Sequence, residues 1–122
     1  MEFSLDKGEA TYYIHSYRDG IITVNNQTYD FPIVVMPREL LVPWGPDSFE
    51  TLSAEHFELI LEFSPQVVLV GTGKILRYPH PATFTALMTQ NIGFEVMNTA
   101  AACRTYAVLM AEGRRVACAL LC

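Results

Sequence analysis

The chain has 122 residues, of which 51% are hydrophobic and 17% charged, so it is too apolar for an intrinsically disordered protein and can bury its own core. Thirteen acidic and eight basic residues give a formal net charge of −5, which argues against binding of nucleic acid or anionic membrane surfaces. There is no apolar run of roughly 20 residues and no signal-peptide pattern, so we expect one cytoplasmic domain without stable membrane insertion.

The first third of the chain has the pattern of antiparallel strands. Residues 1–10 are mixed and polar and are expected to fray. Residues 12–17 are rich in aromatic and β-branched types, and an Asp-Gly turn separates them from a second apolar stretch, Ile21–Val24. A third strand is predicted from Thr28 to Met36, with Pro32 imposing a bulge or an edge position. This order predicts an N-terminal β-meander.

Prolines dominate the next stretch and predict an ordered loop over residues 37–49. Trp44 lies among these prolines, and two alternatives remain for it. It is either an exposed anchor for a protein partner, since tryptophan is favoured at binding hot spots, or a loop side chain folded over the core. A helix is then predicted from the N-cap residue Ser53 to Ser64-Pro65.

The second half alternates strands and helices. Val67–Val70 is a continuous apolar run, which is typical of a strand buried on both faces, and Gly71–Gly73 is predicted to end it. A helix is predicted after Pro81, with Phe84, Leu87 and Met88 facing inward, and a strand is predicted over 94–97. The next helix is capped by Asn98 or Thr99 and ended by Gly113, and the last strand is predicted over 115–121. This alternation predicts a layered α/β sheet with right-handed crossovers.

Two polar turns are predicted at the carboxyl ends of neighbouring strands, where open α/β sheets bind ligands. Gly71, Thr72 and Gly73 follow one strand, and Asn98-Thr99 follows the next and opens a helix. Glycine turns and helix N-termini present backbone N–H groups that attract anions. Arg104 adds charge only if its face of the helix turns towards this edge. The alternative is a tight turn, an ordinary helix cap and a solvated arginine, with no ligand.

No catalytic or metal motif accompanies these turns. The three cysteines, Cys103, Cys118 and Cys122, contain no CxxC pair, so neither a disulfide framework nor a zinc site is indicated. We expect reduced thiols, the first two in the core and the last exposed. The three histidines are scattered, and no nucleophile elbow occurs. The sequence therefore indicates no metal, no cofactor and no catalytic residue, and it leaves open whether the protein is an enzyme.

Several segments of the second half together resemble a known family. They are the stretches 65–73, 93–99, 101–106 and 112–114, followed by the last strand. These segments are similar to the small domains related to the mitochondrial respiratory complex I assembly factor 3, a family long labelled as a domain of unknown function. The resemblance implies a three-layer fold, in which helices and a β-meander flank a mixed central sheet. It implies no established enzyme activity, and for the mitochondrial members it implies help in assembling a respiratory complex.

Two positions depart from the family pattern. The family often has Asp where this chain has Asn98, and Asn where this chain has Ala107. If those polar groups serve a site, the site is weakened here. No transit peptide is recognised either, so the mitochondrial role transfers only as an analogy.

Our leading interpretation of function is a non-catalytic interaction or assembly-factor-like protein that binds an unidentified protein partner. The alternative is a small-molecule binding protein or enzyme that binds an anion at the Gly71–Gly73 turn and the Asn98-Thr99 helix start. A homo-oligomeric structural subunit is a third reading that is compatible with the sequence.

Overall fold

The computed structural model of the protein describes residues 11–122, so the predicted fraying of residues 1–10 lies outside the described residues. Within this range the strands are β1 Ile14–Arg18, β2 Ile21–Val24, β3 Gln27–Tyr29, β4 Ile33–Val35, β5 Leu40–Leu41, β6 Val67–Thr72, β7 Gly93–Met97 and β8 Val116–Leu121. The helices are α1 Ala54–Leu61, α2 Thr85–Thr89 and α3 Thr99–Ala111, with short 3-10 turns at Phe49–Thr51 and Pro81–Phe84. The predicted α/β class is confirmed, and the single-domain organisation stays a prediction.

The N-terminal β-meander is confirmed as an antiparallel sheet in the order β1-β2-β3. Its first turn is built by Asp19 and Gly20, which have φ values of 54° and 77°. Both residues of a type I′ hairpin turn need positive φ, and Asp-Gly tolerates this best. Ile22 and Val24 are buried, because β2 turns one side towards the rest of the molecule.

The single strand predicted from Thr28 to Met36 is wrong, because the chain changes sheets within it. β3 belongs to the meander, whereas β4 belongs to the second sheet. Pro32 lies in the break, and it has no N–H to donate to a strand ladder. Its carbonyl oxygen accepts a 3.0 Å hydrogen bond from the backbone N–H of Trp44 instead. The loop predicted over residues 37–49 also contains β5, which pairs with β4.

The second sheet is mixed, with the order β5-β4-β8-β6-β7. β5, β4 and β8 are antiparallel neighbours, whereas β8, β6 and β7 run parallel. The prediction that the strand ending at Val70 is central and adjoins the strand ending at Met97 is confirmed, since β6 lies between β8 and β7. β6 is longer than predicted, because Gly71 and Thr72 still pair with Leu120 and Leu121 of β8.

Alternating side chains of the central sheet enter two separate cores. Val68 packs in one cluster with Phe57 of α1 and Leu87 of α2. Leu69, which points the other way, packs with Tyr106 of α3 and with side chains of the meander. Helices α1 and α2 therefore cover one face of the sheet, and α3 with the meander covers the other. This arrangement is the three-layer fold that the family resemblance implies.

The predicted helix starts are confirmed, with one error in the packing of α2. Ser53 is the N-cap of α1, and its N–H donates a 3.1 Å hydrogen bond to Nδ1 of His56. Pro81 opens a 3-10 turn that leads into α2. Met88, which was predicted to face inward, is 60% exposed, because α2 is short and Leu87 takes the buried position beside it.

Candidate functional site

The glycine turn after β6 and the N-terminus of α3 meet at the carboxyl edge of the parallel strands. The N–H of Thr99 donates a 2.9 Å hydrogen bond to the carbonyl oxygen of Gly73. The N–H of Gly73 donates a 2.8 Å hydrogen bond to the hydroxyl oxygen of Thr99. The structure thus brings together the two segments that the sequence suggested would form one site.

Thr99 also connects this turn to the last strand. Its side chain is fully buried, and its hydroxyl donates a 2.6 Å hydrogen bond to the carbonyl oxygen of Leu121. Because the same oxygen accepts from Gly73, one hydroxyl joins β6, α3 and β8. A buried hydroxyl that both donates and accepts a hydrogen bond contributes to stability mainly because its loss would leave two backbone groups unpaired.

Both glycines of the turn are required by close packing. A Cβ on Gly71 would lie 2.9 Å from the Cα of Thr99 and 2.9 Å from Cδ2 of Leu120. Gly73 has a φ of +95°, and a Cβ there would lie 3.0 Å from the carbonyl oxygen of Cys122. These glycines therefore let α3 and β8 approach β6.

Two further N–H donors at the start of α3 are paired within the chain. The side-chain oxygen of Asn98, the N-cap, accepts a 2.8 Å hydrogen bond from the N–H of Ala101. The N–H of Ala102 donates to the carbonyl oxygen of Asn98 at 3.0 Å. Arg104 is exposed on α3. These contacts are those expected of a tight turn and an ordinary helix cap without a ligand. Anion binding at these residues stays a prediction.

Thr72 organises a loop that sequence reasoning missed. Its hydroxyl is buried, donates a 2.7 Å hydrogen bond to the carbonyl oxygen of Ile75 and accepts a 3.1 Å hydrogen bond from the N–H of Arg77. The loop held in this way exposes 63% of Ile75, 46% of Leu76 and 72% of Tyr78. We call these three residues the apolar loop. Its sequence signal was three large apolar residues outside every predicted element.

A cleft of about 350 Å³ lies at the same edge, lined by Thr72 and Arg77 together with residues 30–32, 43, 45–49 and 121–122. The guanidinium carbon of Arg77 lies 4.2 Å from the ring centre of Phe49, and its Nη1 donates a 3.0 Å hydrogen bond to Oε2 of Glu50. Hydrogen bonds from the backbone of Glu50 and from Arg77 lower the pKa of the Glu50 carboxyl. In the lining of the cleft, Arg77 is the cationic group, and Asp30 and Asp47 are carboxylates.

Trp44 takes the second of its two alternatives, a side chain folded over the core. It is 1% exposed, and its indole N–H donates a 2.9 Å hydrogen bond to the carbonyl oxygen of His56. Its ring packs edge-to-face on Phe57, with 5.4 Å between ring centres. The exposed-anchor alternative is wrong, because the loop turns the indole inward, where its polar atom finds a partner.

The three cysteines are free thiols. Burial raises the pKa of Cys103 to about 11, against the opposing effect of Arg104. Burial, with a smaller effect of Asp30, raises the pKa of Cys122 to about 11, and burial raises that of Cys118 well above its usual range. Cys103 and Cys122 are half-buried, so Cys103 is less buried and Cys122 less exposed than expected. Activated nucleophilic cysteines have lowered pKa values, unlike these.

Within residues 11–122, no group of three or more His, Cys, Asp or Glu side chains is placed to hold a metal ion. Over the same range, no helix combines the length and the apolar character needed to cross a bilayer.

Comparison with known proteins places the chain in a family. The model of the family described as "Protein of unknown function (DUF498/DUF598)" matches residues 14–121. The chain belongs to this family. The DUF498/DUF598 match covers the meander, the central sheet and all three helices, and it confirms the resemblance that the second half of the sequence indicated.

Two relatives and one solved structure extend the DUF498/DUF598 assignment. NADH dehydrogenase (ubiquinone) 1 alpha subcomplex assembly factor 3 of Mus musculus is 32% identical over 111 residues, which are 89% of this chain and 60% of that protein. The 13 kDa major membrane protein of Francisella tularensis subsp. holarctica (strain LVS) is 25% identical over 99% of both chains. A crystal structure of a Bordetella parapertussis protein has a TM-score of 0.86 and 35% identity, covering 93% of this chain and 97% of that one.

Proposed function

We propose that this chain is a non-catalytic interaction protein that helps a protein complex to assemble. The name of the mouse relative, an assembly factor, supports this role. The chain spans about 60% of the length of that relative, so the mouse protein's own target is not transferred. The structural observation that carries the proposal is the apolar loop, which exposes 72% of Tyr78.

The apolar loop has the properties of a contact surface. Exposed clusters of large apolar side chains mark interaction sites, because the release of water from these side chains lowers the free energy when a partner covers them. Fully burying an isoleucine or leucine side chain contributes about 1.5–3 kcal/mol. The hydroxyl of Thr72 fixes the loop at Ile75 and Arg77, so less conformational entropy is lost on binding than for an unanchored loop.

The chemistry of the thiols supports the non-catalytic part of the proposal. Raised pKa values keep Cys103 and Cys122 protonated near neutral pH, so neither is an activated nucleophile. Free cysteines are also typical of a reducing compartment, which supports a cytoplasmic location.

The test substitutes the apolar loop by Ile75→Ser, Leu76→Ser and Tyr78→Ser in the full chain. The control is Val108→Ser, since Val108 is 57% exposed on α3 and lies outside the loop. Affinity purification from native lysate, with quantitative mass spectrometry, compares both variants with the unsubstituted chain. We expect specific proteins to be lost with the loop variant and retained by the control. Identical protein sets from all three chains would contradict the proposal, and size-exclusion chromatography shows whether the lost protein is a second copy.

A second candidate function is small-molecule binding, which the cleft of about 350 Å³ beside the glycine turn favours. The residues predicted for this function are Gly71, Thr72, Gly73, Asn98, Thr99 and Arg104, and of these Thr72 alone lines the cleft. A thermal-shift screen of metabolites tests it, because a ligand that binds the folded state raises the melting temperature. A ligand whose effect is lost in Arg77→Met and kept in Arg18→Met would support this candidate. A screen without any shift would favour the interaction protein.

A further inference from the structure

A second surface lies at the opposite edge of the central sheet, where β6 and β8 begin. It is a groove of about 460 Å³ between the start of β8, the end of α3 and the segment after β4. Its apolar part includes Met36, Phe63 and Met110. Its cationic part consists of Arg38, Arg114 and Arg115, and we call the whole feature the arginine groove.

The charge of the arginine groove contrasts with that of the whole chain. The chain has a net charge of −5 and eight lysines and arginines, three of which line this one groove. Among the lining residues within 11–122, the part of the chain that the structure describes, Glu39 is the one acidic side chain. The groove is therefore a positively charged site on an acidic protein. Such a site attracts segments of negative charge.

Local hydrogen bonds hold the side chain of Arg115 and the backbone of Arg114 in place. Nε of Arg115 donates a 3.0 Å hydrogen bond to the carbonyl oxygen of Ser64. The N–H of Arg115 donates a 2.9 Å hydrogen bond to the side-chain oxygen of Gln66. Arg114 directly follows Gly113, whose φ of +80° ends α3, and its N–H donates to the carbonyl oxygen of Leu109 at 3.1 Å. The groove is thus built on ordered backbone at the ends of three elements.

We propose that the arginine groove binds an acidic segment of a partner protein in which apolar side chains accompany the carboxylates. Guanidinium groups recognise carboxylates through charge-assisted hydrogen bonds, often two at a time. Methionine side chains such as Met36 and Met110 adapt to varied apolar side chains. Phenylalanine, methionine and arginine are all enriched at protein interfaces. The inference goes beyond the proposed function, since it assigns a different surface and does not depend on the apolar loop.

Two other occupants are distinguished by the test. One is the chain's own N-terminal segment, because Thr11 lines the groove and residues 1–10 contain Phe3 and Leu5 among acidic residues. The other is a nucleic acid, whose phosphates also bind arginine.

The probe is a short fluorescent peptide of alternating leucine and glutamate, and binding to the full chain is measured by fluorescence polarisation. Two control peptides replace either glutamate by lysine or leucine by serine. We expect the leucine-glutamate peptide to bind at least about tenfold more tightly than either control, because both charge and apolar contact contribute. Equal binding of the three peptides, or binding of none, would overturn the proposal.

The variant Arg114→Glu with Arg115→Glu is expected to weaken binding of the leucine-glutamate peptide by at least about tenfold. The control, Arg18→Glu with Lys74→Glu, changes net charge equally at exposed positions outside the groove and should bind as before. Circular dichroism checks folding, and Arg114→Gln alone replaces the double variant if that variant unfolds. Unchanged binding by a folded groove variant would refute the proposal.

Two further measurements test the other occupants. If Phe3→Ser with Leu5→Ser strengthens probe binding about tenfold, the chain's own segment fills the groove, and the partner proposal fails. If the chain binds oligouridylate through Arg114 and Arg115 and binds no peptide, the occupant is a nucleic acid, and the proposal is wrong.

Discussion

Gly73 and Thr99 hold each other through two reciprocal hydrogen bonds, one from each backbone N–H. The N–H of Thr99 donates to the carbonyl oxygen of Gly73 at 2.9 Å, and the N–H of Gly73 donates to the Thr99 hydroxyl at 2.8 Å. The residues are 26 positions apart in the chain. The pair therefore joins the end of β6 to the start of α3, and it takes up donors that a bound anion would otherwise need.

The first prediction concerns the hydroxyl of Thr99. Thr99→Val keeps the shape of the side chain but leaves the N–H of Gly73 and the carbonyl of Leu121 without their partner. We expect the free energy of unfolding to fall by about 2–6 kcal/mol, since each of the two unpaired buried groups costs about 1–3 kcal/mol. Urea denaturation measures the change. Thr99→Ser is the control, because it keeps the hydroxyl and should lose clearly less stability. Equal losses in the two variants would contradict the prediction, because the methyl group would then contribute as much as the hydroxyl to this junction.

The second prediction concerns the close approach of α3 to Gly71. Gly71→Ala places a Cβ 2.9 Å from the Cα of Thr99, so backbone must move. We expect a loss of about 1–3 kcal/mol in the free energy of unfolding, the usual range for overpacking. The matched control is Gly93→Ala, since a Cβ at Gly93 meets nothing within 4 Å. That variant should change stability by less than about 0.5 kcal/mol, as surface substitutions generally do. A thermal or urea melt of Gly71→Ala that matches Gly93→Ala would contradict the expected clash.

The third prediction is a loss of stability in alkaline solution. The pKa values of Cys103 and Cys122 rise from the ordinary 9.0 to about 11 in the folded chain. Between these values the folded chain keeps protons that the unfolded chain releases, so raising the pH favours unfolding. The stabilisation from these thiols is complete below about pH 9 and is lost as the pH passes through about 11.

Urea midpoints measured at about pH 8 and about pH 10 check this linkage. The double variant Cys103→Ala with Cys122→Ala should show a smaller decrease between the two pH values than the unsubstituted chain. Part of the decrease should remain, because burial also raises the pKa of Cys118 and of Tyr106. A decrease of the same size in both chains would rule out a contribution from these two thiols.

Local patterns in the sequence were enough to place most elements and the position of the candidate site. The apolar run Val67–Val70 predicted a strand buried on both faces, and short crossovers predicted that the strand ending at Met97 lies beside it. Both predictions are confirmed, and together they located the meeting of the Gly71–Gly73 turn with Asn98-Thr99. The periodicity of apolar side chains and the residue types of turns depend on only a few neighbouring residues. They can therefore be recognised in the sequence without knowledge of the tertiary structure.

The contacts between distant segments were decided only by the tertiary structure. The sequence suited both an exposed and a buried Trp44, and the choice depended on the carbonyl of His56, which lies 12 residues away. The sequence was compatible with one strand through Pro32, whereas in the fold the residues before and after Pro32 belong to two different sheets. It also left the N–H of Gly73 open to a ligand, because the hydroxyl of Thr99 becomes its partner only when α3 packs onto β6. These hydrogen-bond partners, and the side chains that pack over a given residue, come from distant parts of the chain. Local sequence patterns therefore do not predict them.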